Sequence, residues 1–276
     1  MRITIVVDNR PSSKNSELQT EHGLSLYIEY NSRDILCDMG ATSMFADNAE
    51  LLGIDLGNCD FAFISHGHND HCGGLGYFLE NIKDKDVYIH SAVPKEEYIS
   101  TRHETRRNLS CNNKLFDDYK ERFRFLDTTT RIAEGCFAVQ CNEITAPMPY
   151  GNCFLLKNSG EKEENDTFGH ELSLAFVTDK GLVIVSPCSH CGALNIIHEC
   201  KKATGCDKVH AYIGGLHFVE GENCMTEATL FAEAVKAQYP DTLFITGHCT
   251  CDTAKGFLEK AGNGITTFST GDVIEL

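Results

Sequence analysis

Apolar positions along this chain follow two rhythms. Short runs of Val, Ile, Leu and Phe read as strands, and between them apolar residues recur every three to four positions, as on one face of a helix. Arg2–Val7 reads as a first strand, and Leu24–Tyr30 with Arg33–Asp38 as a hairpin turning at Asn31-Ser32. Ser43–Leu52 has helical spacing, with Gly53 where a C-cap belongs. Phe61–Ile64 is a short apolar strand that runs into a histidine cluster, and Gly73-Gly74 opens a helix to about Ile82 before a strand at Val87–His90. Further on, Glu171–Thr178 and Gly181–Ser186 form a hairpin around Asp179-Lys180-Gly181, followed by a helix at Cys191–Ala203. Lys208–Ile213 and Thr242–Thr246 are strands separated by a helix near Thr226–Gln238. Strands alternating with helices predict a mixed α/β sandwich. No linker or repeat divides the chain, so a single domain over residues 1–276 is expected.

Residues 94–131 break this rhythm. They are polar and read as a helical insertion, with nine basic residues against seven acidic ones. That local excess stands inside a chain of formal net charge −16. The overall acidity argues against nucleic acid as a partner, because phosphate neutralisation needs clustered Lys and Arg, and against docking on an anionic membrane. Within the insertion, Arg102, Arg106 and Arg107 are candidate contacts for a small anionic substrate, since guanidinium groups pair well with phosphate oxygens. A solvated face is the cheapest reading of that excess; a lid over the site, or a contact in a homodimer, is the sharper one. No run approaches the roughly 18 apolar residues of a membrane span. The first apolar run ends at Asp8-Asn9-Arg10, too soon for a signal peptide, so a cytoplasmic protein is expected. In that setting the 14 cysteines read as reduced thiols, many of them buried.

The chemistry concentrates in Ser65-His66-Gly67-His68-Asn69-Asp70-His71-Cys72-Gly73-Gly74. Four metal-binding side chains fall within a few positions, after a strand and before a glycine-opened helix. Neutral imidazoles with one carboxylate suit zinc, and also iron or manganese. Gly67 and Gly73-Gly74 allow backbone shapes that a Cβ would oppose.

The His-x-His-x-Asp-His pattern resembles the metal signature of the metallo-β-lactamase superfamily. Asp38-Met39-Gly40 resembles the Asp-x-Gly element that supports the metal loop, and Gly247-His248 the late histidine of the second metal site. A narrower resemblance rests on Val7-Asp8-Asn9, Glu21-His22-Gly23-Leu24-Ser25, Gly181–Val185 with Cys188-Ser189-His190, Gly214-Gly215-Leu216-His217 and His248-Cys249-Thr250. Together these look like the subgroup labelled 7,8-dihydropterin-6-methyl-4-(β-D-ribofuranosyl)-aminobenzene-5′-phosphate synthase-like metallohydrolases.

The resemblance implies an αββα sandwich, with two mixed sheets packed face to face and helices outside. It also implies two divalent ions, zinc or else iron or manganese. His66, His68 and His190 would hold one, with His170 as an alternative third ligand, and Asp70, His71 and His248 the other. The strand Leu182–Ser186 ends in Pro-Cys-Ser-His, where most of the superfamily carries a bridging aspartate. His217 is then a further candidate ligand or substrate-binding group. Asp38 and Asp8 are candidate orienting acids.

The expected function is a metallohydrolase. A hydroxide made at the two metals would attack an ester or a phosphate-containing small molecule, with Asp70 accepting the proton of the water and His217 protonating the leaving group. The subgroup label implies a second reading, a pterin–arylamine condensation, and the fold allows a third, a di-iron redox centre.

Overall fold

A computed structural model describes residues 1–160, 162–262 and 264–276, and its contacts divide the chain into two compact units. The first comprises Met1–Asp127, Phe154–His170 and Ser269–Leu276, the second Thr128–Cys153 and Glu171–Phe268.

The first unit is built on a seven-stranded sheet in the order Val273–Glu275, Arg2–Val7, Ser25–Tyr30, Arg33–Cys37, Phe61–Phe63, Asp86–His90, Phe123–Leu126. The first four strands pair antiparallel and the rest parallel. The expected hairpin is present. Asn31 and Ser32 both have positive φ, 48° and 58°, as a two-residue turn requires to follow the strand twist. Leu36, Phe45, Ile64, Phe78 and Ile89 are completely buried between this sheet and the helices Met44–Leu51 and Leu75–Asn81.

Residues 94–131 correct the expected helical insertion. Their α-helix is only Lys114–Asp118, with 3-10 turns at Arg102–Glu104 and Lys120–Arg122, and the strands Glu97–Ser100, Arg107–Asn108 and Phe123–Leu126 run through the segment. Glu97–Ser100 pairs with Leu155–Asn158 and Arg107–Asn108 in a small antiparallel sheet, and Phe123–Leu126 joins the large one. Buried Tyr98 and Ile99 explain the outcome: their partner strand lies more than fifty residues away, so local charge spacing could not reveal it.

The second unit carries its own seven-stranded sheet, ordered Ile265–Thr267, Leu243–Thr246, Val209–Gly214, Gly181–Val185, Leu172–Thr178, Cys136–Gln140, Thr130–Ala133. It is parallel from the first strand to the fourth and antiparallel beyond. Its helices are Ala193–Thr204, Cys224–Gln238 and Asp252–Ala261. Among the described residues no helix is long and apolar enough to cross a membrane.

Candidate metal centre

Parallel strands deliver the chemistry in both units. Asp38 follows Arg33–Cys37, and the histidine loop follows Phe61–Phe63. In the second unit, His190, His217 and His248 lie in the loops after Gly181–Val185, Val209–Gly214 and Leu243–Thr246. The carboxyl ends of parallel strands are where open α/β sheets place ligands.

In the first unit Asp38 organises the loop. It is fully buried and adopts φ 60°, a left-handed conformation that costs a non-glycine residue energy and marks functional positions. Its Oδ1 accepts the Ser65 N–H at 2.7 Å. Its Oδ2 accepts the Ser65 hydroxyl at 2.7 Å and lies 2.7 Å from His71 Nδ1. Because Ser65 Oγ spends its proton on Asp38, it accepts from His66 Nδ1 at 2.8 Å. Both His66 and His71 are thereby held with the proton on Nδ1, so that each offers a metal its Nε2 lone pair.

His66 Nε2 lies 3.1 Å from His68 Nδ1, close to the spacing of two nitrogens on one tetrahedral zinc. Burial first, and the neighbouring His170 second, push the His68 imidazole down to about 4, so it is neutral and can act as a ligand at physiological pH. The donor set therefore fits a cation. Asp70 is partly buried, its Oδ2 3.7 Å from His71 Nε2 and 3.4 Å from the exposed His22 Nε2. The glycine of His-Gly-His is obligatory, since a Cβ on Gly67 would sit 2.2 Å from the Tyr98 ring. At Gly73 it would sit 2.1 Å from the Ala41 carbonyl oxygen.

His170 lies near His68, but both of its nitrogens are engaged. Nδ1 accepts the Gly67 N–H at 3.3 Å, and Nε2–H donates to Asp166 Oδ2 at 2.9 Å. Burial would raise the Asp166 carboxyl, but the hydrogen bond and charge of His170, the His68 imidazole and the Phe168 N–H together hold the group below the usual carboxylate range. This arrangement suits positioning of the metal loop better than ligation.

Cys72, next to His71, forms a disulfide with Cys111 across a Cα separation of 5.9 Å, which corrects the expectation that all the thiols are reduced. The bridge between His68 and Ser110 and the hydrogen bond from Cys111 N–H to the Gly67 carbonyl bring the two together. The candidate anion-binding arginines lie on the same excursion. Arg106 is exposed and paired with Glu163, and Arg107 extends along the edge strand Arg107–Asn108. Asp8 is buried and accepts the Arg10 N–H at 2.9 Å, bracing the first loop.

In the second unit, the carboxylate of Glu171 receives the N–H groups of both His190 and Cys191, at 2.7 and 2.8 Å, and so shapes the turn. Asn152 donates to the His190 carbonyl at 2.8 Å and sets its Oδ1 3.3 Å from His190 Nδ1, favouring the proton there and the lone pair on Nε2. The His217 ring lies beside that of His190, with centroids 4.2 Å apart. Ser189, His217 and His248 all have positive φ, at 63°, 51° and 44°. Two of these loops interlock, since Leu216 N–H donates to Thr250 Oγ1 and His217 N–H to Cys249 Sγ. Cys188, His248 and Cys249 present ligand atoms all within 4.8 Å of one another, a soft donor group suited to zinc. Cys188 lies in the Pro-Cys-Ser-His segment that follows the strand Gly181–Val185.

Glu171, Asn152 and Asp166 were missed in the sequence. Each stands alone in the chain, and only the fold brings it to a histidine.

The chain belongs to the metallo-β-lactamase superfamily, whose sequence model matches residues 19–132. It is 30% identical, over 95% of its length and 92% of the relative's, to a Methanocaldococcus jannaschii protein named 7,8-dihydropterin-6-methyl-4-(β-D-ribofuranosyl)-aminobenzene-5′-phosphate synthase. Among solved structures it is similar to Tm1679, described as a metal-dependent hydrolase of the β-lactamase superfamily, with TM-score 0.83, 24% identity and coverage of 100% of this chain and 99% of that one. It also resembles Zn2+-bound PqqB from Methylobacterium extorquens, with TM-score 0.57, 11% identity and full coverage of both chains. At these identities the structural likeness establishes the fold, which is the one expected from the histidine motif.

Proposed function

We propose that the protein is a metal-dependent hydrolase acting on an ester or a phosphate-containing small molecule. His66, His68 and His190 are assigned to one divalent cation, and Asp70, His71 and His248 to a second. The observation that carries this reading is the buried Asp38 carboxylate, which orders His66 through Ser65 and His71 directly, with both Nε2 lone pairs presented. A purely structural polar cluster has no need to fix two imidazoles in the same tautomer.

When bound, the cations supply Lewis acidity and make hydroxide accessible near neutral pH. The protein's own groups do the rest. Asn152 and Glu171 hold His190 in place, and His170 with Asp166 braces the Gly67 backbone. Asp70 accepts the proton released as the water oxygen attacks the phosphorus or carbonyl carbon. His217 returns a proton to the departing oxygen.

A second reading is favoured by the name of the M. jannaschii relative, which points to a synthase joining a pterin to an arylamine ribofuranosyl phosphate; we write that condensation with pyrophosphate as the leaving group. Turnover in 18O-labelled water separates the two. Hydrolysis of a phosphodiester or lactone panel should place one labelled oxygen in the phosphomonoester or hydroxy acid formed at each turnover, and none in a released alcohol. A pterin pyrophosphate with the arylamine phosphate should give no condensed mass. A condensed product, with no cleavage across the ester panel, would overturn the hydrolase reading in favour of the synthase.

A further inference from the structure

Two thiols that the candidate centre does not use meet in the second unit. Cys224 opens the helix Cys224–Gln238, and Cys251 is the N-cap of the helix Asp252–Ala261. Their sulfur atoms stand 2.7 Å apart, closer than two unbonded sulfurs rest. Cys224 is buried and Cys251 half-buried, so a reagent in solution reaches Cys251 first. A shared metal does not account for the approach. Two sulfurs on one zinc, each at about 2.3 Å, stand roughly 3.8 Å apart, and a structural site needs four donors.

The pair sits where two loops of the centre run side by side. Leu216 N–H donates to Thr250 Oγ1 at 2.9 Å, His217 N–H to Cys249 Sγ at 3.3 Å, and Cys251 N–H to the Phe218 carbonyl at 2.8 Å. Beyond Phe218 the chain crosses residues 220–222, which are exposed, and reaches Cys224 six positions on. A bond between the sulfurs would close residues 224–251 into a ring that contains His248. Its closing point would lie against the segment that carries His217. Burial and the Cys224 thiol raise the Cys251 thiol, while the Ala254 N–H opposes them. A dithiol that gains little by ionising leans toward the bonded form.

We propose that Cys224 and Cys251 are a site of reversible disulfide formation, oxidised by a small-molecule disulfide, that fixes the His248 loop against the His217 loop. Cys251 gives its proton to solvent, and the thiolate attacks one sulfur of the reagent, breaking the S–S bond and expelling one thiolate, which takes up a proton. Cys224 then loses its proton and attacks Cys251 Sγ, forming the internal bond and releasing the second half of the reagent as a thiol. Two protein thiols are oxidised and one disulfide is reduced; a dithiol reductant reverses the exchange. The bond itself stands apart from the hydrolase reading. Its effect on metal retention rests on the assignment of His248 to a cation.

The test uses the full chain equilibrated with glutathione disulfide, then alkylated and digested without reductant. Mass analysis should find the Cys224 and Cys251 peptides joined, and a dithiol should separate them. Because a dithiol also opens Cys72–Cys111, the comparison that isolates this site is between oxidised wild type and oxidised Cys224→Ser or Cys251→Ser. Each variant should melt about 5–10 °C below the oxidised wild type, and within a degree or two of it when both are fully reduced. Each should also release one cation to a chelator about 10-fold more readily than the oxidised wild type. Where a variant fails to fold, peptide mapping of the wild type carries the test. Alkylation of both thiols after oxidation, or bonding of Cys251 to a different cysteine, overturns the proposal. Equal melting of oxidised wild type and variants does so too. A mapped bond with metal held equally by wild type and variants overturns the fixing of the His248 loop. A mapped bond in a protein that takes up no metal in any form refutes the hydrolase and leaves the disulfide standing.

Discussion

Replacing Asp38 with Ala will strip the protein of metal before it unfolds it. The carboxylate serves Ser65 N–H, Ser65 Oγ–H and His71 Nδ1–H, so its loss releases two imidazoles from a single fixed tautomer. Loss of such orienting groups typically weakens metal binding about 10- to 100-fold. Each donor left buried without its acceptor costs about 1–3 kcal/mol, so the metal-free protein should also lose several kcal/mol of stability. The measurements are metal stoichiometry after dialysis against a weak chelator, and thermal melting of the metal-free form. Asp38→Asn should retain more stability than Asp38→Ala, because it keeps the volume and one acceptor, yet still lose metal. Full retention of two ions by Asp38→Ala would show that the histidines are held by something else.

The second large effect separates two ligand assignments. With His190 as the third ligand of the first cation, His190→Ala should reduce the bound metal from two ions to one. It should lower kcat/KM about 1,000-fold or more, as expected when several kcal/mol of charge stabilisation is lost. Asn152→Ala, which frees the ring without removing it, should cost about 10- to 100-fold. His170→Ala should leave metal stoichiometry intact and act mainly on stability, because both of its nitrogens serve Gly67 and Asp166. The opposite ranking, with metal lost from His170→Ala and kept by His190→Ala, would establish the alternative assignment.

Much of this was legible before any coordinates. The hairpin at Asn31-Ser32, the strand feeding the histidine loop and the late strand before His248 all rest on local patterns: turn chemistry, apolar runs and glycines next to ligands. Asp38 could be singled out as an orienting acid because it sits at a fixed offset in a recognisable element. The strand Glu97–Ser100 was not legible, because its polar spacing imitates a surface helix and its pairing partner at Leu155–Asn158 is remote. For the same reason Glu171, Asn152 and Asp166 carried no signal, since a lone polar residue acquires a role only from the histidine the fold places beside it. The Cys72–Cys111 bond was hidden by a sound but general argument about compartment, which says nothing about two particular thiols brought together by a chain reversal.

His217 and His248 lie in backbone conformations that glycine would adopt at lower cost, and Ser189, just before His190, does the same. A search for thermostable variants scored on folding alone would therefore be drawn to glycine at 217 and 248, and each gain in robustness there would erase an imidazole. In this scaffold, hardiness and reactivity compete at the same bends of the chain, so durable yet active versions have to be sought in the sheets and helices that carry those bends.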